Sequence, residues 1–257
     1  MLTTLKKNIR RNLSKFKWKN SENGQKTISN FNSLKDSYKG KDAIILCNGP
    51  SLNKVNFDQL ENTFVIGLNK INLLFERTDF RPNMIVAINK YVIEQNVDFY
   101  NNTEIPLYIA DINSKELNNK INISLLNSFS GYNLDFSLNP GLIIYEGWTV
   151  TYTALQIAYH MGFNRIAIVG ADHNFNQTGT PNELQISKGP DSNHFDPRYF
   201  SNGIQWQLAD LEGSEQAYSL AKKMFELKGK KIYNCTEGGK LEIFERMSIN
   251  DFLHKNN

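Results

Sequence analysis

Three short apolar runs near the start of the chain each end in an asparagine, and this recurrence constrains the fold more than any other feature. The runs cover residues 42–47, 63–68 and 84–88, and they are followed by Asn48, Asn69 and Asn89. Short aliphatic runs separated by helix-length stretches are typical of buried strands in a parallel α/β sheet. Parallel strands share one carboxyl edge, where open sheets of this class bind their ligands, so we expect the three amides to converge on a ligand.

Turn chemistry is the alternative interpretation, because asparagine is a favoured turn residue and the chain holds 34 of them. The loop after the first run favours a ligand. There, Gly49 allows a tight turn, Pro50 fixes φ, and Ser51 is suited to cap a helix and to present N–H groups to an anion. The loop lacks the third glycine of a dinucleotide fingerprint and the lysine of a P-loop. The sequence therefore argues against NAD and against a Walker-type NTPase.

The rest of the chain continues the alternation of strands and helices. Strands are predicted at 105–110, 142–145, 165–169 and 231–233, and helices at 149–161 and 214–228. The predicted class is α/β, a modified Rossmann-like fold (a GT-A-type variant) with a mostly parallel sheet and helices on both faces. Residues 175–213 show no periodicity, and an insertion of this length in a compact domain predicts a lid or binding loop.

The charge distribution divides the chain. Residues 1–19 carry seven basic side chains and no acid, whereas the remainder holds 22 basic against 26 acidic ones. The slightly acidic body argues against nucleic acid as a partner. Apolar residues in 1–19 recur at spacings of three and four, which predicts an amphipathic helix on an anionic membrane surface. A solvated tail is the alternative. The predicted organisation comprises this basic arm (1–19), a linker (20–41), a nucleotide-binding and catalytic domain (42–247) with its lid (175–213), and a tail (248–257).

The sequence also bears on location and redox state. No apolar window is long enough to span a bilayer, and no signal-peptide pattern is present. We therefore expect a cytoplasmic protein associated with the inner face of the cell membrane. Cys47 and Cys235 lack the spacing of a metal site and are expected to be reduced thiols in or near the core.

Histidines and acids supply the candidate chemistry. His194 lies in the polar loop 189–197, where a solvent-reachable imidazole can act as a general base. His173 follows Asp172 at a strand end and is expected either at the cleft or in a supporting position behind it. No Asp-x-Asp, His-Glu-x-x-His or Cys-x-x-Cys motif is present. A nucleoside-monophosphate leaving group can be stabilised by neutral donors and helix N-termini without a metal, so the sequence favours such a donor.

Several motifs resemble known families. Asn48-Gly49-Pro50-Ser51-Leu52, Asn69, Asn89, Glu146-Gly147, Gly170-Ala171-Asp172 and Asp191-Ser-Asn-His194 resemble, in their order, the motifs of bacterial sialyltransferases of glycosyltransferase family 42. The stretches 147–162 and 234–240 are more similar to the 6-hydroxymethylpterin diphosphokinase MptE-like family, to which the central domain of the motility accessory factor glycosyltransferases belongs. The resemblance covers roughly residues 40–247.

This resemblance implies a CMP-activated nonulosonic acid as donor, a surface glycan or a lipid-linked acceptor, and inverting transfer to a hydroxyl without a metal or other cofactor. It implies His194 as the base. The sialyltransferases place two tyrosines after the Gly-x-Asp strand to hold the leaving phosphate, and here Tyr199 or Asn174 is expected to replace them. The expected nucleotide and donor contacts are Asn48, Gly49, Pro50, Ser51, Asn69, Asn89, Gly147, Trp148, Thr149, Asp172, His173 and Asn174.

Two other functions remain open on the same scaffold. The MptE-like family name describes ATP-dependent diphosphate transfer to a pterin, which would need Mg²⁺ and acids such as Asp111 and Asp172. A non-catalytic protein that binds a sugar nucleotide is the third possibility.

Overall fold

The computed structural model describes residues 2–118, 120–130, 134–175 and 179–254. The helices are α1 (Leu2–Lys19), α2 (Glu22–Leu34), α3 (Lys90–Gln95), α4 (Val97–Asn102), α5 (Val150–Met161), α6 (Leu211–Glu226) and α7 (Ile249–His254). The strands are β1 (Asp42–Leu46), β2 (Phe64–Leu68), β3 (Met84–Ala87), β4 (Leu107–Ala110), β5 (Ile123–Leu126), β6 (Ser128–Phe129), β7 (Ile144–Tyr145), β8 (Arg165–Val169), β9 (Leu184–Ile186), β10 (Gln205–Gln207), β11 (Lys231–Asn234) and β12 (Glu245–Arg246).

The main sheet has the order β12-β11-β8-β1-β2-β3-β4-β5, and its neighbouring strands all run parallel. Its central strands are buried on both faces, which is why they read as continuous aliphatic runs in the sequence. Leu46 pairs with Gly67 on one side and with Val169 on the other, so the carboxyl ends of β1, β2 and β8 lie side by side. The predicted α/β Rossmann-like class is confirmed.

One hydrophobic layer contains side chains of α2, α5 and α6, and the other contains side chains of α4, α7 and residues 195–208. Helix α5 matches its prediction closely. The Thr149 hydroxyl caps it by accepting a hydrogen bond from the Thr151 N–H at 3.3 Å, and Gly162 ends it with φ 93°. Glycine adopts that left-handed conformation without a steric penalty, so the glycine after Met161 was a reliable stop signal.

The segment 20–41, expected as a linker with at most a short helix, contains the 13-residue helix α2. The Ser21 hydroxyl caps this helix, Phe31 is fully buried, and the Thr27 hydroxyl donates to the Leu125 carbonyl at 2.7 Å. Polar residues dominate the segment, so its few buried positions gave only a weak periodic signal. Helix α2 therefore packs against the sheet edge at β5 instead of serving as a spacer.

Helix α1 forms as predicted, and one of its faces contacts the body. The Trp18 indole N–H donates to the Gly141 carbonyl at 2.9 Å, and the Arg11 guanidinium lies 2.8 Å from the Asp135 carboxylate. Ile9, Leu13 and Phe16 lie on the exposed side. Trp18, which the sequence places beside the predicted apolar stripe, thus turns inward, whereas these three residues of the stripe stay in contact with solvent.

The described part of the 175–213 segment, which was expected to be a lid, packs against the body of the protein. It contains the antiparallel pair β9–β10, and Phe195, Tyr199 and Trp206 are buried in the second hydrophobic layer. Helix α6 begins at Leu211, three residues earlier than predicted, because Asp210 caps it. Residues 176–178 of the expected lid lie outside the described residues, as do Met1 of the arm and 255–257 of the tail. The division of the chain into domains stays a prediction.

Smaller differences concern the sheet edges. Strands β5 and β12 were not predicted, and residues 142–145 supply only β7, which pairs with β6 outside the main sheet. Among the described residues, no helix has the length and apolarity needed to cross a membrane. Cys47 and Cys235 are both free and buried, as expected.

Candidate functional site

A cavity of about 180 Å³ lies beyond the carboxyl ends of β1, β2 and β8, and we call it the strand-end cavity. The N-terminus of α5, the first turn of α6 and residues 193–199 close its other sides. The structure brings most of the predicted site residues to this cavity. Those lining it are Asn48, Gly49, Asn69, Trp148, Thr149, Asp172, His173, Asn174, His194 and Tyr199.

Asn48 and Asn69 each present a buried amide oxygen that has no hydrogen-bond partner among the described residues. The other end of each amide is engaged: the Asn48 Nδ2 donates to the Leu68 carbonyl at 3.0 Å, and Asn69 hydrogen-bonds to the Tyr199 hydroxyl. A buried acceptor without a partner costs about 1–3 kcal/mol. Both residues line the strand-end cavity, so they are candidates to accept hydrogen bonds from a ligand.

Backbone strain also concentrates at this cavity. Asn69, Trp148 and His173 have φ values of 49°, 61° and 52°, in the left-handed region that non-glycine residues seldom occupy. Such conformations persist where the surrounding structure enforces them, and they cluster at functional sites. The strain is an independent indication that the strand-end cavity is the functional region.

The N-terminus of α5 provides the positive end of a helix dipole at the cavity wall. Its first turn contains no acidic residue, and the Thr149 hydroxyl lies 3.3 Å from the Tyr218 hydroxyl. The preceding turn is tight: a Cβ on Gly147 would lie 2.2 Å from the Tyr152 ring, and one on Gly213 would lie 2.7 Å from the Trp148 ring. Helix N-termini of this kind attract anions.

Ser51 does not present its N–H to the cavity as expected. The carboxylate of Asp172 takes that place, with 3.2 Å from each of its oxygens to the Ser51 backbone nitrogen and 2.7 Å to the Ser51 hydroxyl. A Cβ on Gly49 would lie 2.0 Å from the same carboxylate. Pro50 and Ser51 therefore do not line the cavity. The anion that accepts the Ser51 N–H is the carboxylate of Asp172, not a ligand.

Asn89 and Gly147 also lie outside the cavity lining. The Asn89 side chain caps α3 by accepting from the Val92 N–H at 3.3 Å, and its Nδ2 donates to Gln207 at 3.2 Å. Asn89 therefore has a local structural role, as the turn-chemistry interpretation of the asparagines predicted: it caps the helix that follows strand β3.

His194 is held more firmly than a histidine in an open polar loop. Its Nδ1 lies 2.7 Å from a carboxylate oxygen of Asp191, and its side chain is 13% exposed. Burial by itself would raise the pKa of the Asp191 carboxyl. The hydrogen bond and charge of His194 and the N–H groups of Asn193 and Phe200 nevertheless hold that pKa below its usual value. A carboxylate on Nδ1 fixes the tautomer and leaves Nε2 to accept a proton.

Three partners of these residues were not assigned a role from the sequence. Glu215 lies 3.0 Å from the Nε2 of His173, and Asp191 orients His194. Lys70 is buried and donates to the Gln95 side chain and to the Tyr199 carbonyl, both at 2.7 Å. Burial lowers the pKa of Lys70 to about 8. Asp191 could have been found from its spacing of three residues to His194, and Lys70 from its position after the strand-end Asn69.

The acids do not assemble into a metal site. Within the described part of the chain, no three His, Cys, Asp or Glu side chains come together as possible ligands. The Ser51 hydroxyl donates a hydrogen bond to Asp172. Asp111 lies in a different groove, and there the Asn23 side chain donates a hydrogen bond to it at 3.3 Å. Of the two acids that the sequence analysis named for a magnesium-dependent diphosphokinase, Asp172 lines this cavity and Asp111 does not.

Comparisons with known proteins bear on the family and the fold of this chain. The family model described as 6-hydroxymethylpterin diphosphokinase MptE-like matches residues 17–178. A solved structure of the Maf glycosyltransferase from Magnetospirillum magneticum AMB-1 aligns with 88% of this chain at a TM-score of 0.50 and 12% identity. The aligned part covers 38% of that protein's chain, so the likeness concerns the fold of one portion of it. No curated protein matches this sequence.

Proposed function

The chain belongs to the 6-hydroxymethylpterin diphosphokinase MptE-like family, and we propose that it is a glycosyltransferase that moves a nonulosonic, sialic-acid-like sugar from a CMP-activated donor to a hydroxyl group. One observation carries the proposal: unpaired amide acceptors, a helix N-terminus and an oriented histidine line the same cavity. The name of the solved structural neighbour supports the broad class, and the resemblance of the motif order to that of family 42 sialyltransferases is the basis for the proposed donor.

The nucleotide end of the donor fits the two unpaired oxygens. Asn48 Oδ1 and Asn69 Oδ1 can only accept, so the complementary ligand must donate. Cytosine has an exocyclic amine, and ribose has hydroxyls. The phosphate of CMP would then lie toward the N-terminus of α5, where backbone N–H groups and the helix dipole stabilise an anion without a metal.

The chemistry assigned to His194 is proton removal from the acceptor. As the acceptor oxygen bonds to the anomeric carbon, its proton passes to Nε2 of His194. The bond from that carbon to the phosphate oxygen breaks, and CMP leaves with the electron pair. The carboxylate of Asp191, 2.7 Å from Nδ1, stabilises the imidazolium that forms. Attack opposite to the leaving group inverts the configuration at the anomeric carbon.

A peripheral membrane location also belongs to this proposal. Ile9, Leu13 and Phe16 are 51%, 54% and 67% exposed on α1, and basic residues surround them. An exposed apolar stripe with basic flanks binds anionic lipid surfaces. We therefore propose a cytoplasmic enzyme at the inner face of the membrane that acts on surface-glycan or lipid-linked acceptors.

A thermal-shift screen of CMP, UDP, GDP and ATP, each with and without Mg²⁺, tests the donor. A ligand that binds only the native state raises the melting temperature. CMP should stabilise the protein without Mg²⁺. Stabilisation by ATP only with Mg²⁺ would favour the diphosphokinase instead. Stabilisation by CMP without any turnover of a CMP-sugar would favour a non-catalytic binding protein.

A further inference from the structure

A second cavity, of about 740 Å³, lies between α1 and the turn that precedes α5, and we call it the α1 cavity. It falls in the range of roughly 300–1,000 Å³ that is common for small-ligand sites, whereas the strand-end cavity, at about 180 Å³, is smaller. Trp148 lines both cavities. A ligand in the α1 cavity would therefore border the same tryptophan as a donor in the strand-end cavity.

The walls of the α1 cavity combine aromatic faces with polar groups. Phe129, Tyr145 and Trp148 lie along it, and the first two rings are arranged edge to face with centroids 6.2 Å apart. Aromatic rings offer large apolar surfaces. The apolar faces of pyranose rings can lie against such surfaces while their hydroxyls reach polar neighbours. This pairing suits a saccharide better than a purely apolar ligand.

The electrostatics of the α1 cavity favour an anion. Lys7, Arg10 and Arg11 come from α1, and Asp135 neutralises one of these charges through its 2.8 Å ion pair with Arg11. The buried Nε of Arg11 has no hydrogen-bond partner among the described residues. Of the lining residues that the structure describes, Glu146 is the only other acid, so three basic side chains stand against two acidic ones. Positive charge is thus in excess where the aromatic faces lie.

We propose that the α1 cavity binds the acceptor saccharide and that this saccharide carries a carboxylate or a phosphate. The proposal rests on the transferase function proposed above and names the acceptor class for it. Arg10 supplies the main recognition charge, since its guanidinium lies over Phe129 at 5.7 Å from the ring centroid and can hold an anion beside a stacked sugar. Trp148 borders both the acceptor site and the donor site, because it lines both cavities.

Three related sugars test the proposal with the full-length protein: lactose, 3′-sialyllactose and lactose 1-phosphate. Ligand-observed NMR titrations give a dissociation constant for each. Both anionic sugars should bind at least about tenfold more tightly than lactose, because hydrogen bonds to charged groups are the stronger class. The carboxylate and phosphate forms distinguish the two sources of charge. In the double variant K7Q/R10Q, the dissociation constants of both anionic sugars should rise to that of lactose.

A matched double variant, K6Q/K17Q, removes the same charge from residues of α1 that line a different groove. It should leave the sugar affinities unchanged. Equal binding of the neutral and anionic sugars, no binding of any, or equal losses in the two double variants would each overturn the proposal. Parallel CMP melting curves separate the two ideas: stabilisation by CMP without sugar binding refutes this inference alone, and sugar binding without stabilisation by CMP refutes the donor assignment.

Discussion

The imidazole of His194 lies flat against the phenol ring of Tyr199, with ring centroids 3.9 Å apart and planes 3° apart. Tyr199 is itself fixed, because Asn69 hydrogen-bonds to its hydroxyl and the Lys70 ammonium donates to its carbonyl. Asp191 holds the far side of the imidazole. The proposed base is therefore oriented before any ligand arrives, which reduces the reorganisation required when the acceptor is deprotonated.

His194→Ala should lower kcat by about 10² to 10⁴, since a positioned base contributes a factor of that size, while CMP binding stays near that of the parent. The measurement is CMP release from CMP-N-acetylneuraminate, with CMP affinity determined separately. His173→Gly is the comparison variant, because His173 lies at the same cavity, is paired with Glu215, and has a φ of 52° that glycine tolerates. If this comparison variant shows the large defect, or if His194→Ala retains parental turnover, the base is misassigned.

The two asparagines that line the strand-end cavity, Asn48 and Asn69, give a second prediction. Asn48→Ala and Asn69→Gly should weaken CMP binding several-fold each, because each removes an acceptor worth about 0.5–1.5 kcal/mol. Glycine is the choice at Asn69 because it tolerates the residue's φ of 49°. Isothermal titration with CMP measures the loss.

Asn89→Ala serves as the control for these two variants. It removes a helix cap and should cost about 0.5–2 kcal/mol of stability without altering CMP affinity. A loss of CMP affinity in Asn89→Ala alone, with Asn48→Ala and Asn69→Gly unaffected, would place the nucleotide elsewhere on the sheet.

A ligand site at the carboxyl ends of the strands was predicted from the sequence, whereas the order of the strands was not. Asn48 and Asn69 were found because hydrophobic runs mark strands and parallel strands end at one edge. Asn89 followed the same pattern, yet its amide caps the next helix, and sequence cannot distinguish the two uses of an asparagine at a strand end. Ser51 was expected to face a ligand anion, but Asp172 fills that position from 121 residues away. Contacts over such separations depend on the register of the sheet, which no local pattern encodes.

Lys70 predicts a pH dependence of stability. Its pKa is lowered by burial to about 8, from an ordinary value of 10.5. Between those values the unfolded chain binds a proton that the folded protein has lost, so the free energy of unfolding rises with pH, on the order of 1 kcal/mol per pH unit. Lys70→Met removes this contribution. The difference in unfolding free energy between parent and variant, from urea titrations at pH 7.5 and 10, should therefore shift in favour of the parent at pH 10. An unchanged difference would show that Lys70 keeps its ordinary pKa.

The exposed stripe of α1 makes the last prediction. The triple variant I9S/L13S/F16S should no longer sediment with vesicles that contain an anionic lipid, because burial of these side chains and the basic residues around them supply the binding energy. Truncation of the helix is a poorer test, since Trp18 and Arg11 attach it to the body. The control N8S/N12S changes two exposed polar residues of α1 and should bind vesicles like the parent.

Binding by the parent should fall as salt is raised and should be weak on neutral vesicles. Equal sedimentation of parent and triple variant would exclude the stripe as the membrane contact. If analytical ultracentrifugation finds the parent dimeric and the triple variant monomeric, the stripe instead contacts a second copy of the chain.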